Sequence, residues 1–145
     1  MKKQGYTNHR RYYTPHHFVF YPLSLLLLAL AIYGINKDTT NSCLWTAVAV
    51  MLALLIWVAF MMRQHYALTV QNRIVRLELR FRYYTLTQQR LELLEDQLSM
   101  KQLAALRFAS DEELPGLVKR ALAEKLSPDD IKRSIKNWLP DHMRV

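Results

Sequence analysis

Cysteine occurs once in this chain and glycine three times, and 12 acidic residues face 20 basic ones. The single thiol, Cys43, excludes a disulfide within the chain, and a bridge between two copies needs adjacent thiols in an oxidising compartment, so Cys43 reads as inert. Glycine is absent between Tyr66 and Pro115, which leaves little turn chemistry for a sheet and no glycine-rich phosphate loop. Metal-binding cysteine clusters, serine elbows, glycosylation sequons, lipidation boxes and internal repeats are missing as well.

Charge is missing from two long stretches. "FVFYPLSLLLLALAIYGI", Phe18 to Ile35, and "LWTAVAVMLALLIWVAFMM", Leu44 to Met62, carry none. As helices they extend about 27 to 29 Å, close to the roughly 30 Å hydrocarbon core of a bilayer. Both read as transmembrane helices, at 18–35 and 44–62, joined by a short external loop at 36–43. A cleaved signal peptide fits the first run poorly: the run starts late, no small-residue cleavage pattern follows, and a second span comes at once. A buried core helix fits the second poorly, because it has no polar face.

The net charge of +8 divides as +4 in the arm at 1–17, 0 in the loop and +4 thereafter. Positive flanks remain on the cytoplasmic side, so both termini are expected there. Membrane topology thus explains the basic balance before any nucleic acid is invoked.

Beyond Met62 the composition turns polar, in a region assigned to 63–98. Val70, Ile74, Leu77, Phe81 and Tyr84 step by four, three, four and three, the spacing of a helix seam made for a partner helix. Arg73, Arg76 and Arg80 form a basic stripe beside it. The competing reading is a strand, because "RLELRFRY" alternates polar and apolar residues. A sheet would need further strands and turns that the chain does not supply, so a helix is preferred, with a break near Thr85 to Thr87.

The last segment, 99–145, carries helix punctuation. Ser99 with Gln102 and Ser110 with Glu113 have capping-box spacing, and Ser127 with Pro128 and Asp130 combines an N-cap, a first-turn proline and an acid. Pro115 belongs in a first turn, so the middle start is free to shift by several residues. Three short helices are expected, with a core of Leu103, Leu106, Leu117, Val118, Leu122, Ile131, Ile135 and Trp138. The middle helix faces inward with Leu114, Leu117, Val118, Ala121 and Leu122, and the last with Ile131, Ile135 and Trp138. So small a bundle buries too little to stand alone and needs the preceding helix, another copy or a partner.

The chemistry-bearing residues have plain explanations. His16, His17 and His65 are placed at one membrane face, but the adjacent pair diverges and no Cys or carboxylate lies near, so a metal cluster is the weaker reading. Arg10, Arg11, Tyr12, Tyr13, His16, His17, Phe18, Tyr21 and Arg63 instead suit a membrane-interface collar. Asp111, Glu112, Glu113, Asp129 and Asp130 fall at helix N-termini, where carboxylates favour the macrodipole without catalysis. Lys132, Arg133 and Lys136 are a thin basis for nucleic-acid binding and suit an anionic leaflet equally well. Neither span holds a charge that would mark an ion path.

Three segments, "NHRRYYTPHHFVFYPL", "ALRFASDEELPGLV" at 105–118 and "IKRSIKNWLPDHMRV" at 131–145, resemble an uncharacterised family of small bacterial membrane proteins, a domain of unknown function. The resemblance implies a double-spanning inner-membrane protein with a helical cytoplasmic tail, and no activity. Where this chain reads "IVRLELRFRYYTL" the family implies a more acidic, plainly helical segment. The expected fold is all-α: a transmembrane hairpin, a long cytoplasmic helix and a small C-terminal bundle. The expected role is non-enzymatic and cofactor-free, as a scaffold or accessory subunit assembling as a homo-oligomer or in a larger complex, with the bilayer as partner and no small-molecule substrate. The alternative is a membrane-tethered regulator whose basic tail binds nucleic acid or a signalling ligand.

Overall fold

The computed structural model describes residues 4–9 and 12–141, and among these every regular element is a helix, with no strand. The chain forms two compact units: Tyr12–Leu68, and a second that joins the N-terminal arm to the chain from Thr69 onward.

In the first unit a π-helical turn, Pro15–Phe20, leads into α1, Tyr21–Lys37, and a 3-10 turn, Thr39–Asn41, leads into α2, Ser42–Met61. Pro15 opens the first helix at a position where its missing N–H is no loss. Asp38 organises the connection: its carboxylate accepts from the Asn41 side chain at 2.8 Å and from the Asn41 amide at 3.2 Å. Those bonds, the side chain's first, hold the Asp38 carboxyl below its usual range. Small residues let the two helices approach, as Ser24, Ala31 and Gly34 are buried on α1 and Ala49 on α2. At Gly34 a Cβ would stand 2.5 Å from the Trp45 ring, so only glycine leaves room for the indole. The large apolar side chains point outward, and only 17% and 6% of the most apolar stretches of the two helices are buried. A core helix of a water-soluble fold would bury most of that surface.

The helix expected after the second span is a continuation of it past Met62. A π-helical turn, Met62–Ala67, continues into α3, Leu68–Thr87, and the helical run from Thr39 to Thr87 spans 49 residues. α3 stops where the break was expected: Gln88 is left-handed at φ 57°, and its amide donates to the Tyr84 carbonyl at 2.8 Å. The alternating "RLELRFRY" lies inside this helix. Leu77, Leu79, Phe81 and Tyr83 would share one face of a strand, but the helix divides them: Leu79 and Tyr83 are buried together with Val75, and Leu77 and Phe81 are exposed.

The second unit continues with α4, Glu92–Glu95, α5, Met100–Leu106, α6, Leu114–Ala123, and α7, Pro128–Ser134. Ser99 and Gln102 form the expected capping box, and the Ser127 hydroxyl accepts from the Asp130 amide at 3.2 Å. The Ser110 box does not form. α6 starts at Leu114 with Pro115 in its first turn, and Glu113 is the residue before it. α7 ends at Ser134, and Ile135 is already extended. Ile135 and Trp138 therefore do not share a helix face with Ile131. Trp138 forms an antiparallel bridge with Ala109, and the Leu139 amide donates to the Phe108 carbonyl at 2.8 Å. One core unites Leu79 and Tyr83 of α3 with Leu91, Leu98, Leu103, Leu106, Leu114, Val118, Ile131 and Ile135. The small bundle thus solves its shortage of buried surface by packing on the preceding helix.

Candidate functional site

α3 has two apolar faces. Val75, Leu79 and Tyr83 are buried on one. Val70, Ile74, Leu77, Phe81 and Tyr84 occupy the other and are 49–73% exposed. At 3.6 residues per turn the centres of the two faces lie about 180° apart. The seam picked out by its heptad spacing is therefore not the face on which the C-terminal helices pack.

Polar ties border the covered face. Arg80 grips Glu95 with both ends of its guanidinium, the Nε bond measuring 2.8 Å. That hydrogen bond, against the opposing effect of burial, lowers the Glu95 carboxyl below its ordinary value and raises Arg80. Arg82 donates to Asp111 and to the carbonyls of Arg107 and Ala109. Both arginines flank Leu79 and Tyr83 and bind the segment that carries α4 to α6.

The eight core positions chosen from sequence lie together in this unit. Leu103, Leu106, Leu117, Val118, Ile131 and Ile135 are buried, while Leu122 and Trp138 pack half-buried against them. The acids at the helix starts have structural partners. Asp111 meets Arg82, Asp129 meets Lys132 at 3.6 Å, and Asp130 meets Ser127. Glu113 accepts from the amides of Lys136 and Asn137, both at 3.2 Å, which closes the chain after α7 onto the start of α6.

The arm divides in a way sequence reasoning missed. Residues 4–9, for which the sequence named no partner, dock on the C-terminal bundle. Gln4 is buried and accepts from the Asp141 amide at 2.7 Å. The His9 ring lies 5.9 Å from Phe108 and 5.8 Å from Trp138, centre to centre, and the Arg133 guanidinium sits over Tyr6 at 5.3 Å. The local signal was Gly5 with Asn8, whose side chain accepts from the Gly5 amide at 2.6 Å and shapes a turn. No pattern in the arm names its distant partners.

Arg10 and Arg11, assigned to the collar, lie outside the described residues. Tyr12, Tyr13 and Phe18 are exposed at the start of the first helix, and Tyr21 is half-buried there. Arg63 donates to His17 Nε2 at 2.8 Å, which places the proton of His17 on Nδ1, where it reaches the Tyr13 carbonyl at 3.2 Å. Both ring nitrogens of His17 are thereby engaged. His16 stacks on Phe20, the planes 2° apart, with its ring 5.5 Å from that of His17. His65 is exposed in the π-helical turn. Among the described residues no three His, Cys, Asp or Glu side chains gather as a metal set, so the cluster of His16, His17 and His65 is not assembled.

No curated protein and no solved structure matches this chain. A family model covers residues 1–145, the whole of it, and the chain belongs to that family, the Family of unknown function (DUF6526).

Proposed function

We propose that this is a non-enzymatic integral protein of the bacterial inner membrane, a scaffold or accessory subunit that assembles through its helices. The observation that carries the reading is the exposed seam of α3, five large apolar side chains on a helix whose other face is already filled. A patch of that kind on a folded unit is characteristic of an interaction surface. The exposed apolar sides of α1 and α2 support a membrane anchor, with lipid as their solvent. The charge distribution supports cytoplasmic termini and an external loop.

The acids at the helix starts support a non-catalytic tail, because Asp111 and Asp129 are ion-paired, Asp130 accepts from the Ser127 hydroxyl and Glu113 from the amides of Lys136 and Asn137. The regulator alternative draws less support. Lys132 is paired with Asp129 and Arg133 lies on Tyr6, which leaves Lys136 as the remaining member of that basic trio.

Membrane fractionation followed by mild detergent extraction and mass measurement tests the reading. The expected result is a protein in the alkali-resistant membrane fraction with a mass above that of one chain, or with another protein bound. Recovery in the soluble fraction, or as a single chain with nothing attached, contradicts it.

A further inference from the structure

We propose that the α3 seam joins two copies of this chain as a parallel two-stranded coiled coil, in which Arg73 of each copy pairs with Glu78 of the partner subunit. The proposal rests on the scaffold reading above and names its partner. The seam assigns heptad positions: Ile74 and Phe81 at a, Val70, Leu77 and Tyr84 at d. A β-branched residue at a followed by Leu at d, as in Ile74 and Leu77, is the combination that favours two strands in parallel.

The residues flanking this seam carry the second observation. Arg73 immediately precedes Ile74 and takes position g; Glu78 immediately follows Leu77 and takes position e. In a parallel coil, g of one helix lies beside the e five residues on in the other, so Arg73 meets Glu78 of the partner subunit, twice by symmetry. Both side chains are exposed. Among the described residues neither has an ion partner in its own chain. The next g position, Arg80, is occupied by Glu95. An antiparallel arrangement would set g against g and bring Arg73 toward Arg80 of the partner subunit, a like-charge contact.

Membrane attachment selects the same orientation. Two copies anchored by the same hairpin in one membrane send α3 out at the same face, which makes parallel pairing the natural geometry. The seam is short for a free coiled coil. Confinement to a membrane raises the local concentration of one copy around another and offsets that weakness.

Oxidative cross-linking in native membranes tests the proposal in the full-length chain carrying Cys43→Ser. Leu77→Cys and Ile74→Cys should each give same-site disulfide dimers several-fold more readily than Arg76→Cys, which is exposed but off the seam. Glu78→Arg in the Leu77→Cys chain should reduce cross-linking several-fold, and adding Arg73→Glu should restore it, with the helical circular dichroism unchanged throughout. Equal cross-linking at Arg76, no rescue by the double exchange, or mixed Val70→Cys with Tyr84→Cys disulfides exceeding same-site ones would overturn the pairing. If the Leu77→Cys chains fail to cross-link while Leu77→Asp releases a different co-purified protein, the coiled coil falls and the scaffold reading stands. If there is neither a cross-link nor a co-purified protein, both fall.

Discussion

The two faces of α3 are both apolar and opposite in fate. Val75, Leu79 and Tyr83 are buried, whereas Val70, Ile74, Leu77, Phe81 and Tyr84 are left outside. The seam has the larger share of apolar residues and the better heptad spacing, yet the bundle packs on the other side. The difference lies at the edges. Arg80 and Arg82 stand beside the covered face and find Glu95 and Asp111, 15 and 29 residues away. Hydrophobic burial is non-directional, and the paired charges add a directional contact that only the covered face makes. Because the family carries no assigned activity, this asymmetry is the most informative feature of the C-terminal half.

The strongest way to break the comparison is to truncate matching residues on the two faces. Tyr83→Ala should cost the bundle about 3–5 kcal/mol and Leu79→Ala about 2–5, the range for large side chains removed from a packed core. Phe81→Ala on the seam should change bundle stability by less than about 0.5 kcal/mol, as for an exposed site. Hydrogen exchange of α5 and α6 amides reads both. Next comes the polar tie. Arg80→Ala strands the buried Glu95 carboxylate and should cost roughly 2 kcal/mol, less than a fully buried pair because Arg80 is partly exposed. A smaller loss, about 1 kcal/mol, is expected for His9→Ala, which removes the aromatic contact that docks the arm. It should raise exchange in residues 4–9 before it affects α5.

The smallest effect is that of pH. The Glu95 carboxyl is depressed in the folded chain, chiefly by its bond to Arg80. Its stabilisation is therefore complete above the unfolded value, about 4.3, and is lost as pH falls through the lower folded value. Bundle stability should be flat from neutrality down to about pH 5 and decline below, and the Arg80→Ala chain should lack the Glu95 share of that decline. Urea titrations at stepped pH would show it.

Features encoded locally were readable from the sequence. The two uncharged runs, the capping box of Ser99 with Gln102, the cap at Ser127 and the stop near Thr87 depend on neighbours within a few residues, and each appears where the pattern places it. Three features depended on distant partners and were not readable. The covered face of α3 is bordered by ties to Glu95 and Asp111. Ser110 yields its capping role because Pro115 starts α6 later and Glu113 is drawn to the amides of Lys136 and Asn137. Ile135 leaves the helix because Trp138 must reach Ala109. The arm is the clearest case: Gly5 and Asn8 predict a turn, but nothing near them specifies Phe108 or Trp138. Among the histidines, which the sequence left without a preferred ligand role, Arg63 and the Tyr13 carbonyl claim both nitrogens of His17.

The central claim is that the exposed face of α3 is covered in the assembled protein. Thiol labelling of single cysteines in native membranes, in chains carrying Cys43→Ser, measures this directly by comparing Phe81→Cys with Arg76→Cys. Both side chains are exposed in the single chain. The account predicts that the thiol at position 81 reacts several-fold more slowly than the one at position 76, and that mild detergent dissociation abolishes the difference. Equal labelling in intact membranes would contradict it.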